Sequence, residues 1–373
     1  VSANPGAAEV PGAPGKCLLI AGGGTGGHVF PALAVAKEWL RREPQGVRSV
    51  VIVGTERGME ARLVPQAGLP LETIRVAGLK GMGGGKLLKN IAMLPASLWD
   101  SERVMQRHTF SAAFGVGGYA AGPMILVARM HGIPAVIFEP NVEPGFTNRV
   151  LAGISTRVAC GFEETAKRFG ATAVATGIPV RQEFFAAPRN EHRQPFRILI
   201  TGGSRGALPI NRAVIDSLDL LLPRKNQLFI VHQSGERDYN AVRVAYARRE
   251  FRAEVVPFIE NMAERFAQAD LIVCRSGAIT VAEVAAAGRA AIFIPFGAAT
   301  DAHQTRNAEA MQNAGAARLL PQTELNPERL TQEIFSFLDQ PRSITEMEEC
   351  ARKLARPNAV EDIVDMIEGL VRA

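Results

Sequence analysis

The sequence has few aromatic residues, no long apolar run and no close pair of cysteines. Aromatic residues are 6% of its 373 positions. Lys and Arg are dispersed, with no basic tract and no regular aromatic interleaving, so the formal charge of +5 does not describe a nucleic-acid surface. Such a balance suits an anionic membrane or a phosphorylated ligand. Cys17, Cys160, Cys274 and Cys350 lie far apart; they form no zinc pattern and read as buried free thiols. No apolar stretch approaches the roughly 20 residues of a spanning helix. Residues Val1 to Gly15 are rich in Ala, Pro and Gly, lack an apolar h-region and read as a loose tail rather than a signal peptide. The expectation is a cytoplasmic-type chain that at most lies on a membrane.

What is present is a folded profile of 47% apolar and 21% charged residues, in a chain long enough for two cores. Apolar runs at Cys17–Ala21, Ser49–Val53, Ala112–Val116, Ala135–Phe138, Arg157–Cys160 and Ala173–Thr176 predict strands. Helical stretches at Val29–Arg42, Met59–Gln66 and Pro123–Met130 fall between them. A second series of strands runs through Arg197–Ile200, Leu228–His232, Ala253–Val256, Leu271–Cys274 and Ala291–Ile294. Its clearest helices are Asn211–Leu221, Asn261–Ala267 and Thr280–Ala287. Alternation of this kind implies parallel βαβ units. The expected division is a tail over 1–15, a first domain over 16–178 and a second over 179–356. A helix within 357–373 either packs back on the first domain or closes the second.

Three glycine-rich turns follow predicted strands. Gly22-Gly23-Gly24-Thr25-Gly26-Gly27-His28 opens a helix, where backbone N–H groups and the helix N-terminus favour an anionic group. A dinucleotide reading is disfavoured, because Glu56 lies too far from Gly27 for the usual ribose acid. Further loops at Gly115–Tyr119 and Gly202–Gly206 are also more than one pyrophosphate needs. His28 reads either as a general base or positioning group, or as a capping or packed histidine. Ser276 is expected to cap the helix after Cys274, with Gly277 beside it and a phosphate at its N-terminus. Glu283 reads as a ribose-binding carboxylate or as an exposed helix glutamate. His303, Gln304 and Asn307, with Asp301, suit either sugar hydroxyls or a polar loop. No Asp-x-Asp pair or metal-spaced carboxylate set accompanies these motifs, so no metal is expected; helix N-termini, hydroxyls and Arg181 would offset leaving-group charge.

In this joint order, Gly22–Pro31, Gly115–Pro123, Glu139–Asn148, Thr176–Arg181, Gly202–Ala207, Cys274–Glu283 and Asp301–Ala308 resemble one bacterial family. Its members add N-acetylglucosamine to undecaprenyl-pyrophosphoryl-MurNAc-pentapeptide, converting lipid I to lipid II in peptidoglycan synthesis. The resemblance implies a GT-B fold of two doubly wound Rossmann-like domains facing across a cleft. It implies inverting transfer from UDP-GlcNAc, making a β1,4 linkage with no cofactor and no donor-site metal. The catalytic set implied is His28, Glu139 and Asn141. The donor set is Thr25, Gly26, Gly27, Arg181, Ser204, Glu283, His303 and Gln304, with phosphate loops at Gly22, Gly24, Gly202, Gly203, Gly206, Ser276 and Gly277. The acceptor set is Gly118, Tyr119 and Asn148. Members commonly read His-Glu-Gln-Asn where this chain has Phe138-Glu139-Pro140-Asn141. A role that needs that histidine or glutamine does not transfer, and His28 is the better base.

Leu79, Met82, Leu87, Leu88 and Trp99, interspersed with Lys80, Lys86 and Lys89, read either as a loop and core-facing helix or as an interfacial membrane patch. The resemblance favours the patch, on the cytoplasmic face of the bacterial inner membrane. The partners expected are UDP-GlcNAc, membrane-embedded lipid I, anionic lipid and other cell-wall synthesis proteins, with no nucleic acid. The rival readings are a UDP-GlcNAc 2-epimerase, a nicotinamide-dependent oxidoreductase and a non-catalytic nucleotide-sugar-binding protein.

Overall fold

The computed structural model describes residues 16–43, 47–76, 93–188, 192, 194–297 and 302–371. Seven strands form the first sheet: β1 (Lys16–Ala21), β2 (Arg48–Gly54), β3 (Leu71–Thr73), β4 (Ala112–Gly115), β5 (Ala135–Glu139), β6 (Arg157–Cys160) and β7 (Ala173–Ala175). Their spatial order is β3-β2-β1-β4-β5-β6-β7. Six more strands form the second sheet: β8 (Phe196–Thr201), β9 (Leu228–Gln233), β10 (Ala253–Val256), β11 (Leu271–Cys274), β12 (Ala290–Phe293) and β13 (Arg318–Leu319), in the order β10-β9-β8-β11-β12-β13. β1 pairs in parallel with β2 and β4, and β8 with β9 and β11. Leu18, Leu19, Ile20 and Ala21 are all buried, as expected where helices cover both faces of a parallel sheet.

The chain forms two compact units. One comprises Val1–Phe138, Val150–Arg157 and Ile363–Ala373, the other Glu139–Arg149 and Val158–Asp362. In the first, Arg48 lies 4.3 Å from the Trp39 ring centre and pairs with Glu368 at 2.6 Å. Arg42 pairs with Asp365 at 2.5 Å, so two arginines anchor the last helical turns. Each sheet has one position where the chain's winding reverses, β1/β4 in the first and β8/β11 in the second. Such reversals leave a crevice beyond the carboxyl ends of the strands.

The second unit buries an ionic cluster where the chain enters β8. Asp270 accepts the Arg197 N–H at 2.6 Å and pairs with His192 Nδ1 at 2.9 Å; Glu348 lies 3.5 Å from His192 Nε2. Buried Arg289 donates to the carbonyls of Phe266, Pro188 and Ala267. Hydrogen bonding to Asp270, then to Glu348, raises the His192 imidazole to about 9. A pKa raised in the folded state adds stability that is fully present below the ordinary histidine value and lost as pH rises through about 9. His192→Gln is therefore expected to lower the unfolding free energy by roughly 1–3 kcal/mol at pH 6. Urea unfolding at rising pH should show that difference disappearing above about 9; a constant difference would exclude the charged pairing as its source.

Candidate active site

In the first unit, β1 runs into Gly22–Gly24 and then the helix Gly26–Arg41, while β4 runs into Val116–Gly118. Gly22 N–H donates to Val53 O at 3.0 Å and Val116 N–H to Ala21 O at 2.9 Å, fixing where both turns leave the sheet. The turns then touch: a methyl on Gly118 would overlap the Gly23 carbonyl oxygen. Gly117 and Gly118 have φ of +87° and +79°, the left-handed region that favours glycine. His28 lies in the first turn of the helix, with Nδ1 3.1 Å from Gly23 O. A carbonyl only accepts, so Nδ1 carries the proton and Nε2 is the basic nitrogen of the neutral ring. The Cδ2–Nε2 edge lies against Gly117. Thr25 occupies the cap position without a side-chain cap bond, leaving the first-turn N–H groups of Gly26 and Gly27 beside its exposed hydroxyl. Tyr119, 55% exposed, follows the β4 turn.

In the second unit, β8 runs into Thr201–Ala207. Gly203 and Gly206 have φ of +89° and +72°, and the Gly206 N–H closes the turn on Gly203 O at 2.9 Å. Gln233, at the end of β9, holds this turn from behind. Its Nε2 donates to Thr201 Oγ1 (3.1 Å) and Gly203 O (2.9 Å), while Oε1 accepts the Ile259 N–H at 2.8 Å. Ser204 and Arg205 stand exposed at the tip. His232 is buried between Asn211 and Tyr246, and burial lowers its imidazole to about 3. It is a neutral packing group and no base.

β11 leads through Arg275–Gly277 into the helix Ala278–Ala287. The expected Ser276 cap is not made. Gly277 takes the cap position, and buried Ser276 donates its hydroxyl to Gln304 O at 2.8 Å. Tertiary contact therefore outcompetes local capping. Glu283 lies on this helix; burial raises its carboxyl to about 7, against the pull of the Arg181 guanidinium. Arg181 itself stacks 5.1 Å from the Phe184 ring centre. Gln304 Oε1 accepts the Phe296 N–H at 2.9 Å, which turns its amide nitrogen the other way.

The segment Glu139–Arg149, also in this unit, is organised by Glu139. Its Oε1 accepts the backbone N–H (2.9 Å) and side-chain amide (3.0 Å) of Asn141; Oε2 accepts the Gly145 N–H and Asn148 Nδ2, both at 2.9 Å. Asn307, fully buried, joins this segment to the helix His303–Asn313. Its Oδ1 accepts the Val142 N–H at 3.0 Å, and its Nδ2 lies 3.2 Å from both Asn141 Oδ1 and Ser276 O. His303 Nδ1 donates to Glu143 O at 2.8 Å.

The structure thus brings His28, Thr25, Gly26, Gly27, Gly22, Gly24 and Gly118 together in the first unit. Arg181 acts electrostatically on Glu283 in the second, and Glu139, Asn141, Asn148, His303 and Gln304 share one hydrogen-bonded region there. Thr25, Gly26 and Gly27, expected in the donor set, belong to the first unit, as their place in the 16–178 domain implied. Leu79, Lys80, Met82, Lys86, Leu87, Leu88 and Lys89 lie outside the described residues, as does Asp301. Trp99 is described: it is 60% exposed on the helix Leu94–Arg107, with Arg103 5.8 Å from its ring centre. Among the described residues no helix is long and apolar enough to cross a membrane, and no three His, Cys, Asp or Glu side chains cluster as metal ligands. A cavity of about 380 Å³ in the second unit, lined by Phe162, Val180, Val281, Met311 and Leu354, contains none of the expected site residues. Sequence reasoning missed Glu60 and Gln233, both of which hold glycine turns. Their signal is a polar side chain at the carboxyl end of the strand beside the glycine-bearing one, or just beyond it.

Two doubly wound sheets, each with a glycine turn at its winding reversal, a histidine after the first turn and a buried carboxylate on the helix after β11, define a nucleotide-sugar transferase of GT-B type. The chain belongs to glycosyltransferase family 28: residues 18–160 match its N-terminal domain and 197–363 its C-terminal domain. It is similar to the UDP-N-acetylglucosamine--N-acetylmuramyl-(pentapeptide) pyrophosphoryl-undecaprenol N-acetylglucosamine transferase of Myxococcus xanthus, with 43% identity over 95% of this chain and 93% of that protein. The crystal structure of MurG from Acinetobacter baumannii matches with a TM-score of 0.80 and 36% identity, over 95% of this chain and 99% of the other. The UDP-GlcNAc 2-epimerase of Neisseria meningitidis matches at a TM-score of 0.67 and 14% identity, over 95% of this chain and all of that one, and shares the fold alone.

Asn307 gives this region a direct test. Asn307→Ala removes bonds made in a dry site and is expected to cost roughly 2–3 kcal/mol. Asn307→Asp should cost more at pH 7, because its carboxylate would face the oxygens of Asn141 and Ser276. Urea midpoints showing the aspartate variant to be the more stable would contradict this wiring.

Proposed function

We propose that the chain transfers N-acetylglucosamine from UDP-GlcNAc to the C4 hydroxyl of MurNAc in undecaprenyl-pyrophosphoryl-MurNAc-pentapeptide. Family membership supports the reaction class, and the named relative supports both substrates. The observation that carries the reading is His28, whose Nδ1 meets the Gly23 carbonyl and whose Cδ2–Nε2 edge lies against Gly117, between two apposed glycine turns. In the proposed step the acceptor oxygen attacks the anomeric carbon, its proton passing to His28 Nε2. The bond to the β-phosphate oxygen breaks, and its electron pair leaves with UDP. Attack opposite the leaving group inverts the anomeric centre.

Each half-site has a chemical task in this reading. Gly202, Gly203 and Gly206 shape the turn that sets its exposed tip, with Ser204, toward the pyrophosphate, helped by the helix N-terminus after Gly277. Glu283 accepts the ribose hydroxyls, Arg181 offsets phosphate charge, and Gln304 offers its amide nitrogen to the sugar. The first unit takes the acceptor beside Gly118 and Tyr119. Glu139 positions Asn141 and Asn148 instead of exchanging protons, since both its oxygens already accept two N–H groups each. Holding both substrates in place can supply roughly 7–11 kcal/mol of the barrier lowering. Exposed Trp99, with Arg103 beside it, suits a peripheral seat on anionic lipid at the cytoplasmic face of the membrane.

The test is radiolabel transfer from UDP-GlcNAc to a short-chain lipid I analogue. Label in a lipid-linked disaccharide is the expected outcome; acceptor-independent epimerisation of the donor would overturn it. His28→Ala should lower kcat by about 10²–10⁴ while the protein remains folded. Full turnover in that variant would end the base assignment. Glu283 adds a pH signature. Its carboxyl is protonated below about 7 and ionised above, so the KM for UDP-GlcNAc should fall as pH rises through about 7. The expected change is on the order of tenfold, since ionised acceptors bond more strongly. Glu283→Gln should flatten that dependence.

A further inference from the structure

Glu60 is a buried group of the first unit that the proposed chemistry leaves without a role. It opens the helix Glu60–Gln66 and is only 1% exposed. One carboxylate oxygen accepts the Gly24 N–H at 2.7 Å. The other accepts both the N–H (2.9 Å) and the hydroxyl (2.8 Å) of Thr55. Gly23, Gly54 and Gly58 close around it, and a methyl on any of them would overlap the side chain. Burial pushes the carboxyl up, but bonds from the Gly24 and Glu60 N–H groups and from Thr55 outweigh it and hold it below its ordinary value. An anion is thus enclosed behind the glycine turn that faces the site.

The geometry of one peptide unit links this anion to the histidine. The Gly23 carbonyl and the Gly24 N–H belong to the same planar trans peptide, so they point in opposite directions. Glu60 takes the N–H on one side, and His28 Nδ1 meets the carbonyl on the other at 3.1 Å. With Gly24 at φ +93°, nothing in the local backbone preference fixes this plane, because glycine adopts several orientations with little cost. We propose that Glu60 is the positioning residue for His28: by holding the Gly24 N–H it aims the Gly23 carbonyl at Nδ1 and so fixes the Nδ1–H tautomer. The assignment deepens the transfer reading, on which its kinetic consequences rest, but the tautomer itself does not depend on that reading.

The experiment is ¹⁵N imidazole NMR on the full chain with labelled histidine, the His28 signals being identified by their loss in His28→Gln. Wild type should show the Nδ1–H form. Glu60→Gln keeps the shape but loses the charge. Its oxygen goes to the two Thr55 donors, which sets an N–H₂ group against the Gly24 N–H. The expected result is a shift of His28 toward the Nε2–H form, favoured by an unrestrained imidazole. A 10- to 100-fold loss of kcat should accompany it, with the KM for UDP-GlcNAc within twofold of wild type. Glu60→Asp, shorter but anionic, should restore part of both. Thr55→Val, which leaves the Gly24 bond in place, should keep the wild-type tautomer. A folded Glu60→Gln protein with the His28 tautomer and kcat unchanged would overturn the proposal, reducing Glu60 to a contributor to Tm alone. If Glu60→Gln does not fold, Glu60→Asp decides: a partial shift supports the assignment and none refutes it. Absence of transfer by wild type would remove the transfer reading, while the NMR comparison would still judge Glu60.

Discussion

The first half-site depends on two backbone turns lying closer than any side chain would permit. At Gly23 and Gly118 the chain after β1 and the chain after β4 meet carbonyl to α-carbon, and a methyl would separate them. That approach puts the Gly23 carbonyl, the His28 ring and the Gly117 backbone in one place. It is possible because adjacent parallel strands end at the same level, with windings that diverge to either side. The glycines therefore do more than relax the turns: they let the Gly23 carbonyl, the His28 ring and the Gly117 backbone come together.

The two sheets solve the same mechanical problem with different chemistry. A glycine turn facing outward has polar backbone groups on its inner side too, and those must be satisfied. In the first unit the group behind the turn is a carboxylate, Glu60, which only accepts. In the second it is the amide Gln233, which both donates to the Gly203 carbonyl and accepts the Ile259 N–H. The choice follows from which backbone group the turn presents inward, an N–H at Gly24 and a carbonyl at Gly203. Both supports come from beyond the amino-terminal half of the neighbouring strand, β2 or β9, which shows the internal likeness of the two sheets more directly than their glycine spacing does.

Much of this architecture was legible because parallel strands buried on both faces are continuous apolar runs. Arg157–Cys160, Ala253–Val256 and Leu271–Cys274 form strands at the very bounds expected, and other strand ends differ by a residue or two. The helix expected from Val29 begins at Gly26, since its first turn is defined by backbone N–H groups and not by apolar side chains. β3 and β13, of three and two residues, are too short to carry a period. The glycine turns and His28 could be read because small residues after an apolar run are a local signal. Glu60 could not: a glutamate opening a helix is ordinarily solvated, and only its enclosure by Gly23, Gly54 and Gly58 makes it otherwise. Ser276 failed in the opposite sense, its local capping signal overridden by the Gln304 carbonyl. Glu139 was legible as important but not as the centre of four hydrogen bonds.

Those four bonds bear on what each letter of the motif has to supply. The N–H groups gathered by Glu139 belong to positions 141, 145 and 148, and position 140 contributes none. Proline, which has no N–H to offer, therefore sits at 140 without breaking the loop's wiring. Phe138 is fully buried, with its ring 6.5 Å from that of Phe114. Neighbouring letters of one short motif thus carry unequal structural demands: 139, 141 and 148 are interlocked by hydrogen bonds, while the backbone nitrogen of 140 supplies none. A motif of this kind is better defined by who bonds to whom than by the string of residues that spells it.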